Sequence, residues 1–373
     1  MIPCFNSERH LPETLRSAQN QSFIDLEIIC VDNGSRDGTR AIIEDAASRD
    51  PRIRYVLEKE AGEGFARDAG LEVASGDWLY FLDSDDIMRP QLIESSVSRG
   101  EDACADMVIF RTEYLDDVTQ ETRVCPECFD ISWIHNWAGE LVFCPQQNPE
   151  RIFNSFQNWV HNKLYRRSFI VNHGIRFQHL HRMADILFTC RSLAESRRIA
   201  LLDAPLHLYR TNNAMSALNT SDAYPLDFYD AFVELRKCLE NNGTWGLYSV
   251  SFSNWAEEAV AMNLYRSKSL KGFRTIVDTM QREGIKRLGI DCLSDEKVVN
   301  PVRHECCKAI AEQDLCEILF LYFQLEKRHL NTLETELSRR QIEIGQLKSL
   351  RSYKLHSVLR RIRDRLAGHV ATL

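Results

Sequence analysis

Three aspartates within four positions follow an apolar run in the first quarter of the chain. The run covers residues 78–82, and the acids are Asp83, Asp85 and Asp86. Its length and aromatic content favour a buried strand. Carboxylates this close to a core are costly to ionise unless a cation or hydrogen-bond donors balance them. Mg²⁺ or Mn²⁺ bound by Asp83 and Asp85 would do so, because these hard ions take carboxylate oxygens and keep positions open for phosphate. The alternative is a strand-end turn with solvated acids.

The preceding segments place further polar residues at strand ends. Residues 26–31 form a second apolar run that ends at Asp32, and a helix is predicted from about Thr39 to Arg49. Residues 2–5 resemble the end of an earlier strand, and a helix follows from near Glu8. Strands that alternate with helices imply a parallel sheet, whose ligands bind beyond the carboxyl ends of the strands. We therefore expect Phe5, Asp32 and the Asp83 cluster to converge on one crevice.

Five segments in order resemble the inverting glycosyltransferases of family 2. They are IPCFNSE at 2–8, QNQSF at 19–23, VDNGSRDG at 31–38, ARDAGL at 66–71 and FLDSDD at 81–86. The resemblance is specific over residues 1–115 and looser to about 216. It implies an α/β protein of the GT-A fold, with a Rossmann-like, mostly parallel sheet, flanking helices and an added C-terminal helical region. It also implies a metal-dependent hexosyltransferase that moves a sugar from a nucleotide-diphosphate donor, usually a UDP-sugar, to an acceptor hydroxyl in bacterial cell-surface glycan synthesis.

The resemblance assigns roles to single residues. Phe5 would stack beside the base, although packing in the core is an equal alternative. Asp32 would accept from the base N3–H, and Arg67 would neutralise the diphosphate or brace the acids. Asp83 would contact ribose or metal, and Asp85 would ligate the metal. The residues expected to bind the nucleotide-sugar are Pro3, Phe5, Glu8, Asp32, Arg67, Asp83 and Ser84.

Three positions depart from the pattern of the family. Asn33 stands where a second acid is usual, and Asp68 replaces an asparagine, for which the sequence offers no reason. Further along, the expected Glu-Asp pair is Ala184-Asp185. Asp185 is therefore the candidate base that deprotonates the acceptor. Its alternative role is the N-cap of the apolar helix that follows.

Two later segments resemble the acceptor half of the family. WVHNKLYR at 159–166 and HLYR at 207–210 match its patterns. Tyr209 and Arg210 would cover the diphosphate, or Lys163, Tyr165 and Arg210 would hold this half together through buried polar contacts. Residues 116–155 match nothing useful, and we expect them to carry acceptor specificity on loops.

Composition indicates a soluble intracellular enzyme of more than one domain. The chain has 373 residues, 44% of them hydrophobic, and a formal net charge of −8. No apolar run approaches the roughly 18 residues of a membrane span, and no signal peptide opens the sequence. Cys125 and Cys128 form a lone C-x-x-C, so a zinc site is not expected, and the 12 cysteines suit a reducing cytoplasm. We predict a GT-A domain at 1–220 (donor half 1–115, acceptor half 116–220), a helical region at 221–314, and a long helix with a basic tail at 315–373.

The C-terminal segment carries two helical patterns. An apolar 3-4 spacing predicts a short coiled coil, through which a homodimer would form, or a helix packed back on the enzyme. Six basic residues and Asp364 then flank an apolar stripe at 355, 359, 362 and 366. Such a helix is typical of binding to an anionic membrane surface, here the inner face of the cell membrane, where a lipid-linked acceptor would lie. Binding to nucleic acid is less favoured, because the rest of the protein is acidic and would repel phosphate. The alternative is a solvent-exposed helix that closes the fold. The residues of the 3-4 spacing are Leu319, Phe323, Leu330, Leu333, Leu337, Ile344 and Leu347.

The start of the sequence supports a second class of function. Members of the family begin several residues earlier, so the sequence predicts a first strand that is almost absent. A truncated, non-catalytic paralogue that acts as a scaffold or assembly partner through its C-terminal helices would explain this. Retention of Asp32, Arg67, Asp83, Asp85 and Asp185 favours the enzyme. A nucleotidyltransferase would need a glycine-rich basic loop after the first strand, and residues 4–8 have neither feature.

Overall fold

The computed structural model describes residues 1–130, 142–212 and 222–322, together with residues 324 and 339. The chain divides into two units, Met1–Glu312 and Gln313–Leu373. All elements named below lie in the first unit. The predicted subdivision at residues 115 and 220 stays a prediction.

Strands and helices alternate over the first 80 residues. The first three strands form a parallel sheet in the order β1-β2-β3, with Cys4 opposite Asp32 and Asp32 opposite Leu57. All five residues of β2 are buried, so its apolar run lies inside the sheet as the sequence predicts. The elements are β1 Ile2–Cys4, α1 Leu11–Gln19, β2 Ile28–Asp32, α2 Thr39–Arg49, β3 Ile53–Leu57, α3 Glu63–Val73 and β4 Trp78–Tyr80.

The second sheet is mixed. It runs in the order β4-β9-β6-β10-β5, with β7 beside β6 and β8 beside β10. The pair β6 and β10 is parallel, and the other pairs are antiparallel. The protein is thus an α/β fold with helices flanking its sheets. The elements are β5 Ile87–Met88, α4 Leu92–Asp102, β6 Met107–Asp116, β7 Thr122–Val124, β8 Val142–Phe143, β9 Lys163–Arg166, α5 Arg167–Asn172, α6 Asp185–Glu195 and β10 Ile199–Thr211.

Met1 connects the two sheets. Its amino group donates to the carbonyl of Tyr80 at 2.8 Å, and its own carbonyl accepts from the amide of Leu82 at 2.9 Å. Strand β1 therefore lies between β2 and β4. One apolar core extends beneath all three strands and includes Ile2, Cys30 and Tyr80. This arrangement brings the carboxyl ends of β1, β2 and β4 to one edge.

Helices make up most of residues 227–312. Helix α7 ends at Asn241, and Gly243 takes a positive φ of 66° in the turn before the next helix. No helix among the described residues is long and apolar enough to cross a membrane. The predicted coiled coil and basic tail lie almost wholly outside the described residues. The helices are α7 Asp227–Asn241, α8 Trp245–Arg266, α9 Leu270–Thr279, α10 Ile285–Arg287 and α11 Pro301–Glu312, with a π-helical turn at Met280–Gly284.

Candidate active site

The loops that follow β1, β2 and β4 meet in one crevice. The hydroxyls of Ser7 and Ser84 are 2.7 Å apart, and Thr14 Oγ1 donates to the carbonyl of Ser84 at 3.0 Å. The amide of Asn33 donates to the carbonyl of Cys4 at 2.8 Å. The structure therefore brings together the segments that the sequence marked at residues 5–8, 32–38 and 83–86.

Asp32 and Phe5 differ sharply in exposure. Asp32 is buried, and its two oxygens accept from the amide of Ser35 at 3.0 Å and from the hydroxyl of Tyr55 at 3.2 Å. Phe5 is 61% exposed, so it is not a core residue and its ring is open to a ligand. Pro3 lies in β1 opposite Val31.

Glu8 holds the turn before α2. Its Oε2 accepts from the amide of Gly38 at 2.7 Å, and its own amide donates to Asp37 Oδ2 at 3.1 Å. A Cβ on Gly38 would lie 2.8 Å from that Oε2, so the turn fits the carboxylate closely. These contacts give Glu8 a bracing role at the rim of the crevice.

The structure explains why Asn33 fits where an acid is usual. Its Nδ2 donates to the carbonyls of Glu58 and Glu60, at 3.3 and 2.6 Å, and its Oδ1 accepts from the amide of Gly62 at 2.8 Å. A carboxylate cannot donate to two carbonyls. The amide is therefore needed to hold the loop that leads into α3.

Arg67 and Asp83 form the centre of the acidic cluster. The Nη2 atom of Arg67 lies 2.8 Å from Asp83 Oδ1 and 2.7 Å from Glu63 Oε1. The other oxygen of Asp83 lies 3.4 Å from His161 Nδ1. Burial would raise the pKa of Asp83, but Arg67 and His161 outweigh it and lower that pKa. Asp83 is thus held ionised by its neighbours.

The guanidinium of Arg67 is not fully satisfied. Its side chain is 2% exposed and lies over the ring of Phe177, with 5.4 Å from Cζ to the ring centroid. Within the described residues, Nε and Nη1 have no hydrogen-bond acceptor. Buried donors without acceptors are costly, so these two nitrogens are available to hydrogen-bond an acceptor group of a ligand.

Asp185 is the first residue of α6 and not its N-cap. The N-cap position is Ala184, whose side chain makes no capping bond. Burial raises the pKa of Asp185, and Asp83 raises it further against the opposing effect of Arg67. The alternative role of a cap is therefore wrong, and the carboxylate faces the charged cluster.

The cluster has an excess of negative charge. Glu63 interacts electrostatically with Arg67, Asp83, Asp185 and Asp85, so the interacting groups include four carboxylates and one guanidinium. Such a set of hard oxygen donors suits Mg²⁺ or Mn²⁺. Asp85 and Asp83 are the residues that would hold the ion, since they lie on the loop that follows β4.

Asp86, His161 and His207 form a buried polar layer beneath the cluster. His207 Nε2 lies 2.9 Å from Asp86 Oδ2, and its Nδ1 lies 2.8 Å from the hydroxyl of Tyr80. Burial lowers the pKa of His207 to about 3, and it also lowers the pKa of His161. Both rings are therefore neutral at physiological pH.

The three side chains of this layer offer ligand atoms within 4.8 Å of one another, a spacing that a metal could bridge. The two imidazole rings, however, are stacked with centroids 4.4 Å apart and planes at 19°. A metal binds imidazole in the ring plane, about 2.0–2.1 Å from nitrogen for zinc. Nearly parallel planes do not meet at that distance, so this geometry opposes a shared ion and the layer acts as a brace.

Arg210 and Lys163 are held by protein contacts. Arg210 is 1% exposed and binds Asp117 Oδ1 at 2.9 Å, Glu13 Oε2 at 2.7 Å and the carbonyl of Asp85 at 2.6 Å. Lys163 Nζ donates to the carbonyls of residues 157 and 159 and to Oδ1 of residue 162, at 2.6–2.8 Å. These contacts match the role of holding the acceptor half together, and not that of covering the diphosphate.

Asp68 gains a role that the sequence did not suggest. Its Oδ1 accepts from the amide of Phe177 at 3.1 Å, and its Oδ2 lies 3.2 Å from His179 Nε2. The His179 ring stacks on Phe65, with centroids 3.7 Å apart. Asp68 therefore fixes the segment before α6 against α3, which sets the position of Asp185 relative to Arg67.

Several residues of this site escaped prediction from the sequence. Glu63 carried one signal, since it stands four positions before Arg67, which is the spacing of an ion pair on one helix face. The contacts of the others depend on long-range packing, although the sequence marked the segments that contain Asp86, His161 and His207. These other residues are Asp86, Asp117, His161 and His207.

The first 174 residues of the chain match a known protein family. The sequence profile described as "Glycosyl transferase family 2" matches residues 1–174. Glycosyltransferase EpsH of Bacillus subtilis is 29% identical over 222 residues, which are 56% of this chain and 59% of EpsH. The succinoglycan biosynthesis protein ExoO of Rhizobium meliloti is 27% identical over 242 residues, which are 62% of this chain and 65% of ExoO. The chain thus spans about 60% of the length of these curated relatives.

A solved structure extends the likeness to most of the fold. Residues 1–349 of TarS from S. aureus, in complex with UDP-GlcNAc, superpose with a TM-score of 0.64 at 20% identity. The match covers 83% of this chain and 86% of the TarS chain. This likeness shows the GT-A fold, as the sequence predicted.

Proposed function

The chain contains a glycosyl transferase family 2 domain, and we propose that it transfers a sugar from a nucleotide-diphosphate donor to an acceptor hydroxyl, with inversion at the anomeric carbon. The observation that carries this proposal is the acidic cluster: Asp83 and Asp185 come from two distant segments, and both interact electrostatically with the buried Arg67, which pairs with Asp83 at 2.8 Å. A UDP-sugar is the donor class we favour, because TarS is described in complex with UDP-GlcNAc.

The donor would lie across the loops after β1 and β2. Asp32 would accept from the base, since each carboxylate oxygen has two lone pairs and the contacts to Ser35 and Tyr55 leave others available. Phe5 would stack on the base with its exposed ring. The hydroxyl of Ser84, joined to Ser7, would contact the ribose or phosphate.

A bound Mg²⁺ or Mn²⁺ would supply positive charge to the leaving diphosphate. In the protein itself, Arg67 fixes one oxygen of Asp83, and Asp85 lies two residues further along the same loop. The two unpaired nitrogens of Arg67 add stabilisation for negative charge at the same place. The loop is held from below by Arg210, which binds the carbonyl of Asp85.

Asp185 would act as the general base. It would take the proton of the acceptor hydroxyl as that oxygen bonds to the anomeric carbon, and the bond from this carbon to the diphosphate would break. The nucleoside diphosphate leaves with the bonding pair. A base works best when its pKa approaches the working pH, and the raised pKa of Asp185 moves it in that direction. One displacement of this kind inverts the anomeric configuration.

We propose cell-surface glycan synthesis as the setting, with a glycan or lipid-linked acceptor. The name of ExoO, a succinoglycan biosynthesis protein, supports this setting. A cytoplasmic location with contact to the inner membrane face, and a homodimer through the C-terminal helix, rest on the sequence patterns after residue 315.

Ligand binding tests the proposed function directly. Thermal shift and calorimetry with UDP-glucose, UDP-GlcNAc, UDP-galactose and GDP-mannose, each with Mn²⁺ and with EDTA, should reveal one donor that stabilises the protein in a metal-dependent way. The non-catalytic scaffold predicts no binding of any donor, and that outcome would replace the enzyme with it.

A further inference from the structure

Glu63 lies where the first turns of two helices meet. It is the first residue of α3, and Gly62 before it takes a φ of 143°, which favours glycine. A Cβ on Gly64 would lie 2.1 Å from the carbonyl oxygen of Gln178 and 3.4 Å from Cβ of Ala184. Only glycine lets α3 begin so close to the start of α6. Glu63 is thus the chain neighbour of Gly64, which packs against Ala184, the position where the family pattern expects an acid and this chain has none.

The carboxylate of Glu63 is half engaged. Its Oε1 pairs with Arg67 Nη2 at 2.7 Å, the same atom that holds Asp83. Its Oε2 accepts no hydrogen bond from the described part of the chain. The side chain is 39% exposed, against 23% for Asp83 and 2% for Arg67. Glu63 thus offers a fixed carboxylate oxygen to a molecule that enters the crevice.

The surrounding charges support a role in the site. Desolvation raises the pKa of Glu63, and Asp83, Asp185 and Asp85 add to this rise against the opposing effect of Arg67. The cost of this crowding is expected at a functional site.

We propose that Glu63 binds the acceptor: its Oε2 accepts a hydrogen bond from a second hydroxyl while Asp185 deprotonates the attacking one. The inference rests on the proposed function and extends it to the acceptor. Two carboxylates beside Arg67 select a molecule with neighbouring hydroxyls, as in a sugar or another polyol. Glu63 supplies from α3 the carboxylate that is missing at Ala184.

A purely structural role makes a different prediction. An acid in the first turn of a helix interacts favourably with the helix dipole, and Glu63 and Arg67 have the i, i+4 spacing of a stabilising pair. If that were its whole role, the loss of Glu63 would affect donor and acceptor steps alike. Kinetics that separate these steps therefore decide between the two roles.

The test compares Glu63→Gln with Glu72→Gln in the full chain. Glu72 is exposed on the last turn of α3, so its substitution removes the same charge from the same helix, away from the site. UDP release would be followed with each UDP-sugar and Mn²⁺, first with water alone as acceptor. Methyl glycosides of glucose, galactose and N-acetylglucosamine, and monodeoxy derivatives of the best one, would follow.

We expect Glu63→Gln to reduce UDP affinity and hydrolysis by water much less than it reduces transfer to the glycoside. Its kcat/KM for the glycoside should fall about 10-fold or more, mainly through KM, as for the loss of a hydrogen bond to a charged group. Removal of the neighbouring hydroxyl from the glycoside should lower kcat/KM of wild type by the same factor. The same removal should not lower kcat/KM of Glu63→Gln any further. Glu63→Asp should recover part of the loss, and Glu72→Gln should match wild type.

Other outcomes would contradict the role of Glu63, the class of acceptor or the proposed function. Equal losses in hydrolysis and transfer, or additive effects of the variant and the deoxy acceptor, would make Glu63 structural. Hydrolysis by wild type without any stimulation by the glycosides would overturn the polyol acceptor and leave the donor chemistry. No release of UDP from any donor would overturn the proposed function and, with it, the role of Glu63.

Discussion

The side chain of Asn33 and the amide of Gly62 are joined by a 2.8 Å hydrogen bond between residues 29 positions apart. The same side chain donates to the carbonyls of Glu58 and Glu60. The end of β2 thereby fixes the loop that leads into α3, and α3 carries Arg67. The segments that carry Asp32 and Arg67, the residues proposed to bind the base and the diphosphate, are thus connected through one amide.

Substitution of Asn33 by Asp should loosen this connection. The new carboxylate cannot donate, so two carbonyls lose their partner and face a negative charge. We expect the free energy of unfolding to fall by about 1–3 kcal/mol, the cost of unsatisfied buried groups. Urea titration would measure it, with Asn172→Asp, an exposed site at the end of α5, as the matched control. Equal stability of the two variants would contradict the bracing role.

Donor affinity should depend on Asp85 and on a divalent ion together. Asp85 belongs to a cluster of four acids and one guanidinium. Its loss should therefore weaken the binding of the metal ion and, in consequence, the binding of the diphosphate. Calorimetric titration should show that wild type binds UDP tightly in the presence of Mn²⁺. Binding should be equally weak for wild type in EDTA and for Asp85→Ala in Mn²⁺. Asp102→Ala, at the exposed end of α4, serves as the control. Equal affinities in all cases would refute the metal assignment.

Local patterns predicted the parts of the fold that local forces determine. Helix α2 was predicted at about residues 39–49 and is observed at Thr39–Arg49. The acids at strand ends were predicted to converge because parallel strands end at one edge. Helix α1 was placed three residues too early, since the amide of His10 bonds back to the carbonyl of Ser7 and makes a turn there. Glu8, at the predicted start, instead holds the turn at Gly38.

The contacts that complete the site could not be predicted, because distant segments provide them. His161 reaches Asp83 from a loop 78 positions later in the chain. Asp68 braces Phe177 and His179 across more than 100 positions. The apolar pattern after residue 184 predicted a helix correctly. Only the packed structure shows that Asp185 lies inside its first turn and interacts electrostatically with Arg67.

The pH dependence of transfer should reflect the raised pKa of Asp185. Burial raises this pKa, and the base acts only when ionised, so activity should be lost as pH falls through it. The acid limb of kcat/KM should therefore lie above the ordinary aspartate value of about 3.9. Asp185→Asn should keep UDP affinity, lose at least about 100-fold in turnover and lack this limb.

Asp102→Asn is the control for that profile, because it removes one exposed carboxylate far from the crevice. Its pH profile should overlay that of wild type. An Asp185→Asn variant of normal rate would show that another group accepts the proton.

The basic tail should bind anionic vesicles. Removal of residues from 349 onward should leave UDP binding intact and shift the protein to the supernatant in co-sedimentation with vesicles containing phosphatidylserine. Each basic residue near such a surface contributes about 1 kcal/mol, and salt screens the attraction. Full-length protein that stays in the supernatant at low salt would remove the membrane proposal.

The anomeric configuration of the product tests the central claim most directly. Proton NMR of a reaction with an α-linked UDP-sugar, Mn²⁺ and the glycoside acceptor should show a β-linked product and one equivalent of UDP for wild type. Asp185→Asn should give almost none within the same time. An α-linked product, or no consumption of any donor by wild type, would contradict inversion by a single displacement with Asp185 as base.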